Sequence, residues 1–312
     1  EAGSAAGFQA AGTSYATHGF PVIPFYIFYS MFGFQRTGDQ LWAAGDARAR
    51  GFLMGATAGR TTLTGEGLQH DDGHSHLLAS TNPAVRGYDP TFAYELAAIL
   101  RDGIERMHVK AEDLIYYISI YNENYPQAAK PDGVDEGILR GIYRFSAAPK
   151  LSKGAPTVRL VGSGSILLQV IAAQALLAEQ FGVAAEVYSA PSFPMLRRDA
   201  LITERWNRLH PAEPARDPYV STVLGVNGGP IIAASDWMQA IPDLVRQWSA
   251  APFVTPGTHG LCPSNTRVSP RRYFEIEPPP NASGALHGPP RPRESRRHAA
   301  GRASPPQLPA PR

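Results

Sequence analysis

Apolar positions come in short runs separated by polar and glycine-rich stretches. Pro21–Ser30 is rich in β-forming residues, Gly51–Thr57 (GFLMGAT) is a short apolar run, and Asp113–Tyr121 (DLIYYISIY) is rich in isoleucine and tyrosine. Each reads as a strand. Between them, Thr37–Arg50 carries helix formers, with Leu41, Trp42 and Ala49 among its apolar residues. Phe92, Leu96, Ile99, Leu100 and Ile104 recur at helical spacing. They predict a helix running to about Met107 with Asp89 or Thr91 as its cap. Strand, crossover helix and strand in series imply a parallel α/β sheet.

Gln127–Gly154 is rich in Pro, Gly and polar residues and reads as a linker with one helical piece near Glu136–Tyr143. A second α/β unit follows: strand Thr157–Val161, tight turn Gly162–Ser165, helix Ile166–Phe181 and strand Ala184–Ser189. Ile231–Ala234 extends the pattern, and Asp236–Trp248 is expected as a helix capped by Ser235, kinked or delayed by Pro242. Pro278–Arg312 holds ten prolines and no periodic apolar face, which predicts disorder because too little surface is buried to offset ordering entropy.

Composition adds limits. Of 312 residues, 43% are hydrophobic and 18% charged, enough for two cores. The net charge of +2 conceals six arginines and one acid (Glu294) after Pro278, leaving the body near −3 and giving no reason to expect nucleic-acid binding. One cysteine, Cys262, excludes an internal disulfide and suits a reducing cytoplasm. The apolar stretch Pro21–Phe34 is too short to span a bilayer, so no membrane association is expected. The chain opens at Glu1 in mid-pattern without methionine, which suggests a segment of a longer protein.

The richest chemistry lies in Gly59–His76, GRTTLTGEGLQHDDGHSH. His70, His74 and His76 stand close in sequence to Glu66, Asp71 and Asp72. Three readings fit: a metal site, a hydrogen-bonded structural turn, or catalytic proton handling. Gly162-Ser-Gly-Ser165 lacks the third glycine of a dinucleotide fingerprint, so a tight strand-to-helix turn explains it better. Asn122–Tyr125 closes a strand where open sheets place ligands, and strand-end capping is its equal alternative. Tyr29 and Phe32 lie at the end of the first strand, where an aromatic can stack on a flat ligand.

IPFYIFYSMFGFQRTGDQLWAAGDARARGFLMGATAGRTTLTGEGLQHDDGHSHLLASTNP, YDPTFAYELAAIL, YYISIYNENY, EGILRGIYRF, VRLVGSGSILLQV, VYSAPSF and ERWNRLHP together resemble the homodimeric bacterial pyruvate dehydrogenase E1 family. The resemblance covers roughly Glu1 to Phe274. It implies two thiamine-diphosphate-enzyme domains, each a mainly parallel sheet flanked by helices. These are a pyrimidine-binding domain over 1–140 and a transketolase C-terminal-like domain over 157–275, joined by a linker at 141–156.

The implied activity is decarboxylation of pyruvate on thiamine diphosphate with transfer of the acetyl unit to the lipoyl group of dihydrolipoyl acetyltransferase, the E2 partner. A second E1 subunit completes a homodimer, and Mg²⁺ belongs to a diphosphate-binding domain whose GDG motif this sequence lacks, so this chain alone is expected to be inactive. Through the run EAGSAAGF, the resemblance makes Glu1 the carboxylate at the cofactor's pyrimidine nitrogen. Phe32 stacks on the pyrimidine, Tyr29 faces cofactor or substrate, and His70 moves protons, with Glu66 a further candidate beside it. The rival readings are a 2-oxoglutarate dehydrogenase E1 or transketolase, an inactive partner-binding fragment, and a metal-binding protein.

The sequence departs from the family after Phe253. His259 replaces an expected aspartate, Pro270 is expected to break a helix, and the Pro/Arg-rich tail at 276–312 stands where the family has a closing helix. A shifted reading frame is the hypothesis for that region.

Overall fold

The computed structural model describes residues 1–260 and 266–287. Helices α1 (Ala2–Gly12) and α2 (Ser14–Thr17) precede a parallel sheet of β1 (Phe25–Phe28), β2 (Gly51–Ala56), β3 (Val85–Tyr88) and β4 (Ile115–Ile120) in the order β1-β2-β4-β3. Its connections are α3 (Gly33–Asp46), α4 (Ser75–Thr81) and α5 (Ala93–Ile104). The central strands β2 and β4 are apolar on both faces, as a sheet covered on both sides requires, whereas β1 at the edge alternates exposed and buried residues.

The second sheet runs β5-β7-β6-β8-β9. It is built from β5 (Tyr143–Ser146), β6 (Thr157–Gly162), β7 (Ala184–Ser189), β8 (Ile231–Ala234) and β9 (Phe253–Val254), and only β5 is antiparallel. Helix α6 (Asp135–Arg140) leads into it; α7 (Leu167–Phe181), α8 (Phe193–Leu209), α9 (Tyr219–Leu224), α10 (Val268–Tyr273) and α11 (Pro278–His287) complete the fold. In α7, Leu167, Val170, Ala173 and Leu177 make the buried stripe, and Gly182 ends the helix in the left-handed conformation. Among the described residues, Gly164–Phe181 is the one helical stretch long and apolar enough to cross a membrane; its stripe packs into this core.

The expected α/β class with two mainly parallel sheets is what the chain adopts. Several local expectations are corrected. Helix α3 begins at Gly33 and kinks at the expected start, Thr37 (φ −131°, ψ 17°); glycine is required at 33 because a side chain there would collide with the Phe28 ring. Neither Asp89 nor Thr91 caps α5; the Glu95 carboxylate does, accepting from the amides of Thr91 (2.5 Å) and Phe92 (3.1 Å). The stretch expected as linker contains β5, a full member of the second sheet.

Asp236–Trp248 is not one helix. Asp236 sits in a turn, Ser235 accepts from the Trp237 amide at 3.3 Å within that turn, and a 3₁₀ helix starts at Pro242. Pro270 does not break a helix either, for it lies in the first turn of α10, where the missing N–H costs nothing. Nor is the chain disordered from Pro278: α11 starts there, and Ala282 is buried in the second core with Phe274 and Ile276. The remainder of that tail, from residue 288, lies outside the described residues.

Candidate functional site

All four strands of the first sheet are parallel, so their C-terminal ends share one edge and the segments leaving them converge there. Tyr29 follows β1 directly, and the loop 57–74 follows β2. Tyr29 and Phe32 meet with ring centroids 5.4 Å apart, and the His70 ring stands 5.3 Å from Tyr29 and 5.5 Å from Phe32. His70 Nδ1 lies 2.9 Å from Glu66 Oε2, a contact that is an ion pair only when the imidazole carries a proton, and not an aligned hydrogen bond. Four of the five residues singled out in the sequence therefore form one half-buried corner.

Glu1 joins it indirectly. Its Oε1 accepts from Arg36 Nη1 at 3.0 Å, and the Arg36 guanidinium lies 4.0 Å from the centre of the Phe32 ring. Burial pushes the Tyr29 phenol up from its ordinary value; a hydrogen bond with Thr57 opposes this, and Glu66 and Asp71 reinforce it.

Buried carboxylates fix the frame around this corner. Asp72, fully buried, accepts from Ser30 Oγ at 2.5 Å and from the amides of His74 (3.1 Å) and Ser75 (3.0 Å). One side chain thus joins the Tyr29–Phe32 turn to the start of α4 and the end of the loop. Farther back, Asp236 of the second unit accepts from amide and hydroxyl of both Thr61 and Thr62. Gly59 makes this approach possible with φ +87°, since a side chain there would strike the Asp236 carboxylate. Burial pushes Asp236 up from the ordinary carboxylate range, against the pull of Arg271 and the threonine donors.

The three histidines of the loop part company. His70 faces Glu66, His74 Nδ1 is 3.9 Å from Asp72, and His76 is buried in the first turn of α4 with Nε2 3.1 Å from Ser119 Oγ. Burial lowers His76 to about 4. Among the described residues no three His, Cys, Asp or Glu side chains come together as a metal donor set, so the metal reading of this loop finds no support.

Asn122–Tyr125 turns out to brace the fold: Glu123 pairs with Arg271 of α10 at 3.1 Å, and Tyr125 donates to the Thr91 carbonyl. Gly162–Ser165 is a strand-to-helix turn whose Ser165 hydroxyl lies 2.7 Å from that of Thr62. Sequence reasoning missed Asp72 and Asp236 as anchors. The signal for Asp72 was its place just before the polar start of α4, a capping position.

A profile of the family described as the pyruvate dehydrogenase E1 component middle domain matches residues 1–128, and one of the transketolase-like TK C-terminal domain matches 141–277. The chain is 53% identical over 278 residues to the pyruvate dehydrogenase E1 component of Pseudomonas aeruginosa, covering 89% of this chain and 31% of that protein. It is 52% identical over 279 residues to the protein so named in Mycobacterium tuberculosis, with 89% and 30% coverage. It is 50% identical over 279 residues to that of Escherichia coli K12, with 89% and 31% coverage. The chain thus spans about a third of the length of these relatives.

Among solved structures, a transketolase from Campylobacter jejuni superposes with TM-score 0.66 at 16% identity, over 89% of this chain and 37% of that one. A structure described as a split gene transketolase, inactive beta4 tetramer, matches with TM-score 0.59 at 16% identity, over 90% of this chain and 80% of that one. Residues 1–128 thus match the middle domain of the pyruvate dehydrogenase E1 component and residues 141–277 a transketolase-like C-terminal domain, in a chain about half identical to bacterial E1 components over 89% of its length.

Proposed function

We propose that this chain supplies the pyrimidine-binding and C-terminal portion of an E1 component that decarboxylates pyruvate on thiamine diphosphate and acetylates the lipoyl group of E2. The single observation that carries this is the Tyr29–Phe32–His70 corner at the C-terminal edge of a parallel sheet. Two aromatic rings with a histidine and an acid at their margin fit a flat, polar heteroaromatic such as the aminopyrimidine. Relatives about half identical over the same residues favour pyruvate dehydrogenase over the transketolases, whose likeness is one of fold.

Bound thiamine diphosphate supplies the carbon nucleophile for 2-oxo acid decarboxylation. Phe32 and Tyr29 would hold its aminopyrimidine. Glu1 would hold a proton at the ring nitrogen, with Arg36 keeping the carboxylate against the Phe32 side of the corner. His70 would give or take a proton at the reacting centre, oriented by Glu66. Among the described residues no three His, Cys, Asp or Glu side chains come together, and this reading leaves Mg²⁺ to the diphosphate half of the site. The diphosphate half of the site, the second subunit of a homodimer and the E2 contact belong, in this reading, to parts of the enzyme beyond these residues.

The test is the purified chain with thiamine diphosphate, Mg²⁺, pyruvate and a dye acceptor. No pyruvate-dependent reduction is expected from the chain alone. Turnover by the chain alone overturns the assignment of the diphosphate half to another segment, and turnover with 2-oxoglutarate instead of pyruvate overturns the substrate.

A further inference from the structure

A cavity of about 530 Å³ opens between the two units, away from the aromatic corner and sharing no residue with it. Arg86 and Tyr88 of β3, Asp102 of α5 and Arg106 just after it form one wall. Arg140 of α6 and Arg198 and Asp199 of α8 face them. Four guanidiniums face two carboxylates in this lining, and two of the four, Arg106 and Arg140, are paired with acids.

Both carboxylates are already engaged. Asp102 Oδ2 accepts from the Tyr116 hydroxyl at 2.6 Å, and Asp199 accepts from Arg140 at 3.2 Å and from the Tyr219 amide at 2.7 Å. Arg106 is paired with Glu112 at 2.6 Å. Among the described residues neither Arg86 nor Arg198 is paired with a carboxylate, and Glu112, held by Arg106, reaches Arg86 only at longer range. Arg86, only 9% exposed, donates Nη1 to the carbonyls of Pro83 (2.9 Å) and Val85 (3.2 Å). Arg198 donates both Nη atoms to the same Pro83 carbonyl, at 3.0 Å each.

Two guanidiniums thus converge on one neutral oxygen, and among the described residues Nε and Nη2 of Arg86 have no hydrogen-bond acceptor. Burying like charges side by side is unfavourable unless something anionic compensates. Burial, and then the nearness of Arg198 and Arg106, lowers Arg86 to about 10. The adjoining cavity of about 400 Å³ shares Arg198 and adds Arg197 and Arg205, which extends the positive field along α8.

We propose that this inter-unit cavity binds a phosphate group, bridged by the guanidiniums of Arg86 and Arg198. Planar guanidinium forks match phosphate oxygens in pairs, and a dianion would neutralise two charges that no described carboxylate pairs directly. The volume has room for a phosphate monoester as well as the free ion. Because Arg86 and Arg198 belong to different units, an occupied site would also fasten β3 to α8.

The experiment is calorimetric titration of the purified chain with inorganic phosphate and with glycerol phosphate, at ionic strength matched with chloride. Saturable binding of one phosphate per chain is expected, weakened at least tenfold in Arg198→Gln, whose half-exposed position leaves folding intact. Arg86→Lys serves as a second variant and should weaken binding as well, since an ammonium cannot present the fork. Tighter binding of glycerol phosphate than of phosphate assigns the site to an esterified ligand, and the reverse order to the free ion. Absence of saturable phosphate binding, binding of citrate in its place, or unchanged affinity in both variants overturns the proposal.

Discussion

Asp236 accepts from the amide of Thr62 at 3.1 Å and from its hydroxyl at 2.6 Å, although 174 residues separate the two in the chain. The neighbouring Thr61 makes the same pair of bonds, at 2.9 and 2.5 Å, to the other carboxylate oxygen. The loop that carries His70 is therefore held from the second unit by one fully buried side chain. Asp236→Ala strands four donors and is expected to cost about 3 kcal/mol. Combining it with Thr62→Val should be less than additive by about 1 kcal/mol in urea unfolding. Strict additivity would mean that the two do not act on each other.

Ser30 and Asp72 tie the aromatic turn to the other end of the same loop, at 2.5 Å. Ser30→Ala leaves part of a buried carboxylate unpaired, and a loss of about 1–2 kcal/mol is expected. An unchanged unfolding midpoint would show that the Tyr29–Phe32 turn is set by its own packing.

His76 gives the fold a pH dependence. Buried and lowered to about 4, it stays neutral in the folded chain while an unfolded imidazole takes up a proton near 6.5. Above that value the ring is neutral in both states and contributes no slope. As pH falls toward 4 the unfolded state gains protons that the folded state refuses, so stability should drop by roughly 3 kcal/mol across that window. In His76→Gln the curve should be flatter between pH 6.5 and 4, whatever the variant costs at pH 7. Parallel curves for the two proteins would remove His76 as the source.

Helix α11 places Ala282, 1% exposed, in the second core. Ala282→Arg should overpack that contact and lower stability by about 2 kcal/mol or more. Insensitivity to this change would mean that the segment after Glu277 does not dock on the second core.

Among the strands of the first sheet, those with the plainest signal in the sequence were the ones buried on both sides. Asp113–Tyr121 and Gly51–Thr57 are continuous apolar runs, and their strands lie at the centre of the first sheet. The elements missed are short or mixed. β3 is four residues with Arg86 and Gly87 inside it, too few to show a period. α8 was hidden because charges and the exposed Leu201, Ile202 and Leu209 blur the stripe of buried Phe193, Leu196 and Ala200. β5 borrows its strand geometry from β7, which no local pattern reveals.

The grouping of Tyr29, Phe32, His70 and Glu66 was reachable only through resemblance, since the two ends of that corner are separated by a whole helix and strand. Asp236 was taken for part of a helix because Asp236–Trp248 has helix-like composition. Its long-range bonds to Thr61 and Thr62 override that local preference.

The most direct test grafts residues 1–277 into the aligned position of the Pseudomonas aeruginosa relative and measures pyruvate-dependent CO₂ release with thiamine diphosphate and Mg²⁺. The graft should be active, with Glu1→Gln lowering the rate at least a hundredfold and His70→Ala at least tenfold while the protein still folds. A folded graft that binds the cofactor and keeps full activity in both variants would contradict the assignment of the catalytic corner to these residues.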